Sequence, residues 1–391
     1  MANKKILKDR VEGSLIGVAL GDALGMPTEF MSREEIKASF GWVKEFLAAP
    51  DWHPLADLPP GKITDDTEQT LAIAGLVKEK PDFSPETVAD AMLAWARKSL
   101  DSEFQVQNDD GNEGNENLNK MGPSTLQALS RYARGESPYT TGLTGNTNGA
   151  AIRVSPVALA NSGAPEGLAE RILTLCIPTH CTEVAVAGSC AVGYWISRAV
   201  AGGNKAQVYQ AALAGCRQGG RLFRERIQGK IQDRIKEFAD DRKWQILSSQ
   251  INPGMFERIK WGEELTGMVE SFGTAEVETA EREQPEEQLK EQVYERLLKS
   301  LGTGVLMIET IPLALSLARL MEDPFEAVVL GASAGGDTDS IASITGGLMG
   351  SLAGRDKFPD HLVEELESKN GLDFELLAED LIQAGSLASH S

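Results

Sequence analysis

Gly13, Gly17, Gly21 and Gly25 recur at four-residue intervals through the apolar stretch Val11–Leu24. With about 3.6 residues per helical turn, that spacing puts all of them on one helix face. Glycine inside a helix costs about 0.5–1 kcal/mol relative to alanine, so a stripe of it implies that another backbone must approach that face closely. Gly346, Gly347, Gly350 and Gly354 repeat the device near the other end of the chain. Tight helix packing accounts for both stripes.

Elsewhere apolar residues, chiefly Ala and Leu, also recur at helical spacing. The helices expected are Glu68–Lys78, Pro85–Lys98, Pro123–Arg134, Ala150–Ala160, Glu183–Ala201 and Ala206–Arg217. Glu286–Leu301, Val305–Met321, Pro324–Ala332 and Ser340–Ala353 follow. Alternating strand patterns are scarce, so the expected fold class is all-α. At 391 residues the chain is long enough for a large core. Two segments interrupt the pattern. Asp101–Asn119 is acidic, rich in Asn and nearly devoid of apolar residues, which reads as a mobile loop. Arg217–Glu287 is charged and ends in an acidic run, which reads as an insertion without recognisable chemistry.

With 58 acidic against 38 basic side chains the formal net charge is −20. That balance opposes direct nucleic-acid binding, which needs Lys and Arg against phosphate. Cys176, Cys181, Cys190 and Cys216 show no paired spacing and read as buried free thiols. Residues 1–12 lack the apolar core of a signal peptide. Val305–Ala318 is too short to span a membrane and carries Glu309 and Pro312. The expectation is a soluble, cytoplasmic protein with no membrane partner.

Two carboxylate clusters carry the chemistry. Thr64-Asp65-Asp66-Thr67 and Asp337-Thr338-Asp339-Ser340 each join two aspartates to hydroxyls at the expected start of a helix. A helix cap accounts for one acid in each, and Asp65 with Glu68 resembles a capping box. The second acid exceeds that role, because adjacent carboxylates repel unless a cation lies between them. Oxygen-only donor sets suit Mg²⁺ or Mn²⁺, and the absence of His and Cys argues against zinc. Two such sets suggest a metal-dependent hydrolase.

Weaker signals surround these clusters. Gly142–Gly149 is a glycine-rich loop before a helix, either an ordinary loop or a phosphate cradle built from backbone N–H groups. His180 reads alone as a structural histidine, and Glu29 as a solvated loop acid. Gly331-Ala332-Ser333-Ala334-Gly335 matches the nucleophile-elbow pattern, but that motif needs a preceding strand and Phe325–Leu330 reads as helix.

Together the residues resemble the ADP-ribosylglycohydrolase family, which includes the dinitrogenase-reductase-activating glycohydrolases and the J-type crystallins. The matching pieces are Gly21-Asp22-Ala23-Leu24-Gly25 with Glu29, Pro60-Gly61 through Thr67, and Asn148 through Arg153 with Pro156. Thr179-His180 and Gly335 through Ser340 complete them. The resemblance implies a compact, all-α single domain with two divalent cations, Mg²⁺ or Mn²⁺, at its centre. It implies Thr64, Asp65 and Asp66 as ligands of one ion, and Asp337, Asp339 and Ser340 as ligands of the other. Asn148, Gly149, Ala150 and Ala151 match the segment that holds substrate phosphates, and His180 matches a substrate-side histidine.

The implied reaction is hydrolysis of the glycosidic bond of an ADP-ribosyl group on a protein or a small compound. Glu29, or one of Asp65, Asp66 and Asp337, would act as the base. The crystallin branch implies the alternative of a non-catalytic ADP-ribose-binding or structural protein, and a dimetal hydrolase of another glycoside shares the same centre. Arginine-specific members often carry an Asp-Ile-Gly-Asn-type segment where this chain has Lys120-Met121-Gly122-Pro123-Ser124-Thr125. Serine-linked, nucleoside-type and small-molecule acceptors therefore stand beside arginine.

Overall fold

The two glycine stripes meet. In the computed structural model, which describes residues 2–99, 121–162, 166–228, 254–274 and 286–388, the helix Ala2–Gly25 lies along the helix Thr338–Ala353. A Cβ built on Gly17 would stand 2.1 Å from the Gly346 carbonyl oxygen, and one on Gly346 would stand 2.0 Å from the Gly17 oxygen. Gly350 abuts Gly13 in the same way, Gly21 abuts Ala342, and Gly25 abuts Thr338. Each step forward along one helix matches a step back along the other, so the pair is antiparallel. No side chain fits between the two backbones along this seam.

Around this pair the remaining described helices pack into two apolar clusters, the larger of which contains the central pair. Glu183–Val200 packs beside Lys205–Phe223 and against the central pair, and its Trp195 is fully buried with Nε1 donating to the Leu348 carbonyl at 3.0 Å. Gly254–Thr274, Glu286–Leu301 and Met307–Leu320 share a second apolar cluster that includes Leu265, Leu297, Leu301, Leu313 and Leu317. Among the described residues the fold is helical, and the one extended pairing is an isolated bridge between Thr147 and Leu306. No helix of the described residues is long and apolar enough to cross a membrane. All four cysteines are buried free thiols.

Several helix bounds differ from expectation for local reasons. The expected helix Ala150–Ala160 is two, Gly149–Ile152 and Ser155–Ala160, because Pro156 fits only the first turn of a new helix. The helix expected from Val305 begins at Met307. The Asn148 N–H and the Asn146 carbonyl engage Val305 and Met307, which holds Leu306 extended. The helix expected to end at Arg217 continues to Phe223, inside the segment read as an insertion. Residues 229–253 and 275–285 of that segment lie outside the described residues, as does the expected loop Asp101–Asn119.

Candidate active site

The glycine seam ends at the aspartates. A Cβ on Gly25 would lie 2.5 Å from the Asp339 Cα, so the close approach of the helices delivers the chain after Gly25 directly to the second aspartate cluster. Gly335 and Gly336 both have positive φ, 82° and 75°, a region open to glycine at little cost. There the turn presses against its neighbours: a Cβ on Gly336 would lie 2.3 Å from the Thr303 oxygen. The Gly336 N–H donates to the Met31 carbonyl and the Phe30 N–H donates to the Gly336 carbonyl, each at 2.8 Å. Asp337 then opens the helix without capping it through its side chain.

Asp337, Asp339 and Ser340 are buried, as are Thr64 and Asp66, while Asp65 is half-buried. The two clusters are joined by Ser340, whose Oγ donates to Asp66 Oδ2 at 2.9 Å. Glu29 joins them from the segment after the first helix. Glu29, Asp337 and Asp339 each offer a carboxylate oxygen, and these oxygens all lie within 4.8 Å of one another. Glu29 is thus not the solvated loop acid that its isolated position in the sequence suggests, since only 15% of its side chain is exposed.

The expected capping box at Asp65 is also corrected. Thr64 is the N-cap, accepting from the Asp66 N–H at 3.4 Å. Glu68 turns away to accept from Trp95 Nε1 at 2.9 Å and Ser99 Oγ at 2.6 Å. Both aspartates are therefore released from capping. Asp65 instead accepts from Gln69 Nε2 at 2.8 Å and from the Gly122 backbone N–H. That second contact brings the segment lacking the expected aspartate up to this cluster.

Asp22, which stands in the sequence only as one residue of the Gly21–Gly25 motif, organises the first cluster. Fully buried, it accepts from the N–H and hydroxyl of Thr64, at 2.9 and 2.7 Å, and from the N–H and hydroxyl of Thr67, at 3.1 and 2.5 Å. Its place one residue beyond Gly21 was the available signal. Thr64 and Ser340 both give their hydroxyl protons to carboxylates, which leaves oxygen lone pairs for a cation.

Asn148 caps nothing, because its side chain points to the aspartates, donating to Asp337 Oδ2 at 2.5 Å and to Thr310 Oγ1 at 3.0 Å. Gly149, Ala150 and Ala151 follow in a buried helical turn. His180 is fully buried beneath this loop. Its Nε2 lies 3.0 Å from Thr147 Oγ1 and its Nδ1 lies 2.9 Å from Thr179 Oγ1. A Cβ on Gly149 would meet the imidazole at 3.0 Å. His180 therefore braces the loop from below. Arg153, also fully buried, donates to Gln69 Oε1 at 2.6 Å and to Thr179. Asp65, Gln69, Arg153, Thr179 and His180 so form one hydrogen-bonded chain from the carboxylates to the loop. Ser333 is buried at the end of the helix Pro324–Ala332 and accepts from the Val43 N–H at 3.0 Å, in a helical setting unsuited to a nucleophile elbow.

The electrostatics follow from crowding acids out of water. Burial, then repulsion from Asp337, Asp65 and Asp22, pushes Glu29 up to about 9. Burial, then Asp22, raises Asp65 to about 7. Burial raises Asp337 to about 6, opposed by the hydrogen bond from Asn148. Asp66 and Asp339 are driven well above the ordinary carboxylate range by burial and by their acidic neighbours. Arg153 is pushed down to about 10 by burial and faces Asp65 and Asp66. A single buried guanidinium cannot balance this many carboxylates. The carboxylate oxygens of Glu29, Asp337 and Asp339 form a hard, convergent donor set that fits a hard divalent cation.

Comparison with known proteins agrees in family and fold. A model of the family described as ADP-ribosylglycohydrolase matches residues 3–390. YegU, an uncharacterised protein of Escherichia coli K12, is 28% identical over 370 residues, 94% of each chain. The ADP-ribosyl-[dinitrogen reductase] glycohydrolase of Rhodospirillum rubrum is 30% identical over 198 residues, 50% of this chain and 59% of that protein. The ADP-ribosylarginine hydrolase Tri1 of Pseudomonas putida GB-1 is 29% identical over 160 residues, 39% of this chain and 36% of that one. A solved structure of an ADP-ribosylglycohydrolase-related protein complex superposes with a TM-score of 0.63 at 23% identity, covering 97% of this chain and 99% of that one.

Proposed function

This chain belongs to the ADP-ribosylglycohydrolase family, and on that premise we propose that it hydrolyses the glycosidic bond between an ADP-ribosyl group and a protein or small-molecule acceptor. The observation that carries this reading is the bond from Ser340 to Asp66, which unites two aspartate clusters in one buried, acid-crowded centre with Glu29 beside it. Thr64, Asp65 and Asp66 would hold one divalent cation, and Asp337, Asp339 and Ser340 the other. When bound, such ions make a water nucleophilic at neutral pH and stabilise charge on a departing group.

The chain's own groups have distinct tasks in this scheme. Glu29, raised to about 9, keeps its proton at neutral pH in the metal-free protein. It stands where it can give a proton to the leaving group or take one from water. Asp22 holds Thr64 and Thr67, and through them the direction of Asp65 and Asp66. Asn148 fixes Asp337 and begins the loop through Ala151 that would hold the substrate's phosphates, with His180 supporting it from below. The free thiols suit a reducing, cytoplasmic setting.

The test is release of ADP-ribose from arginine-linked, serine-linked and small-molecule ADP-ribosyl substrates, with Mg²⁺, with Mn²⁺ and with chelator. Metal-dependent release that Asp337→Asn abolishes supports the reaction, and the best substrate identifies the acceptor. Tight ADP-ribose binding without release from any substrate would replace hydrolysis with the non-catalytic reading.

A further inference from the structure

Beside Glu29 lies a histidine whose outer nitrogen is unused. His53 is 4% exposed, and its Nε2 is buried without a hydrogen-bond partner. That nitrogen lies 3.8 Å from Glu29 Oε2, too far for a direct hydrogen bond and close enough for one after a small side-chain movement or through one water. The other ring nitrogen, Nδ1, accepts the Leu55 N–H at 3.0 Å. An imidazole that accepts at Nδ1 carries its proton at Nε2. The free proton is thus held toward the Glu29 carboxylate.

The ring has little freedom to turn elsewhere. Phe30 and Trp52 lie against it with centroids at 5.6 and 5.8 Å. Both are largely exposed, at 56% and 59%, whereas His53 beneath them is not. Phe30 takes a φ of 67°, rare for a bulky side chain, and its N–H is tied to the Gly336 carbonyl beside the aspartates. The segment carrying Glu29 and the residue covering His53 are therefore fastened to the same glycine turn.

We infer that His53 is a positioning residue for Glu29. Its Nε2–H donates to the Glu29 carboxylate, directly or through one water, and keeps that carboxylate turned toward Asp337 and Asp339. This role rests on the hydrolytic reading proposed above. A buried donor left without an acceptor is costly, and the nearest carboxylate is the one that the site uses to handle a proton.

Two substitutions separate this role from a purely structural one. His53→Gln keeps an N–H at the Nε2 position and gives up the Nδ1 acceptor, while His53→Asn does the reverse. With the metal-loaded enzyme, His53→Asn is expected to lower kcat about tenfold or more, with KM and Mn²⁺ affinity little changed, and His53→Gln to retain most of the activity. The reverse order would mean that His53 serves only the Leu55 N–H, and would overturn the inference. A second readout needs no turnover. The chain has 4 histidines, so ¹⁵N spectra can be assigned by substitution, and His53 is expected as the neutral Nε2–H form with a resonance that shifts in Glu29→Gln. If the wild type releases ADP-ribose from nothing, the hydrolytic reading fails by itself. The spectra then decide: a shift sustains the His53–Glu29 coupling, and an unmoved resonance removes it.

Discussion

Ser340 Oγ donates to Asp66 Oδ2 at 2.9 Å, so one buried hydrogen bond joins two clusters 274 positions apart in the chain. Their acids are buried and mutually repulsive in the metal-free state. Removing one charge should therefore separate function from stability. Asp337→Asn is expected to lose Mn²⁺ affinity by roughly 10–100-fold or more and to abolish release of ADP-ribose. The chelated variant should unfold at a temperature equal to or above that of the chelated wild type, because one buried charge has gone. Calorimetric metal titration and thermal unfolding measure both. A variant that unfolds earlier yet binds metal normally would make Asp337 a structural acid.

The seam between the glycine stripes predicts a contrast between two Gly→Ala changes. At Gly17 the added methyl would sit 2.1 Å from the Gly346 oxygen, and backbone on both sides leaves no room to relax. Gly17→Ala is expected to destabilise the fold by about 3 kcal/mol or more. Gly75 is also helical but exposed, with nothing near its Cβ position. Gly75→Ala should gain about 0.5–1 kcal/mol through the unfolded chain. Denaturant titrations of the two variants give the comparison directly, and equal effects would refute close backbone contact as the reason for the stripe.

Much of this was legible in the residues themselves. Glycine every four positions fixes a helix face and demands a partner backbone, and the second stripe supplied it. Paired aspartates exceed what a cap needs, and Thr64 rather than either aspartate caps that helix. What stayed hidden depended on long-range placement. Asp22 looks like one more helical residue until Thr64 and Thr67 fold onto it. His53 and Glu29 are 24 positions apart in the sequence and read as two isolated polar residues. Asp65 and Glu68 have capping-box spacing, but Trp95 and Ser99 compete for the glutamate, a tertiary contact that no local pattern contains.

Asp22 gives a third prediction. Its two oxygens take four hydrogen bonds from Thr64 and Thr67. Asp22→Asn keeps nearly the same shape but turns one acceptor into a donor that faces other donors. The buried groups left unpaired should cost about 3 kcal/mol, and the displaced Thr64–Asp66 segment should weaken metal binding by about 10–100-fold. Thermal unfolding with and without Mn²⁺ tests it. Wild-type metal affinity in Asp22→Asn would show that the turn holds its form without this carboxylate.

The pH dependence of stability follows from which state holds protons. Unfolded carboxylates titrate near about 4. In the folded, metal-free chain Asp337 rises to about 6, Asp65 to about 7 and Glu29 to about 9, with Asp66 and Asp339 also raised. Between those limits the native state keeps protons that the unfolded state has lost. The contribution of these groups to stability is thus fully present below about pH 4 and is lost as pH rises through the folded values. A divalent cation takes the place of those protons, so the stabilisation it brings should grow over the same interval. Melting temperatures in chelator and in saturating Mn²⁺, compared from about pH 5 to about pH 9, should diverge steadily. A gap that stays constant or narrows would mean that the acids are already ionised and accommodated without a cation, and the aspartate clusters would lose their claim to be a metal centre.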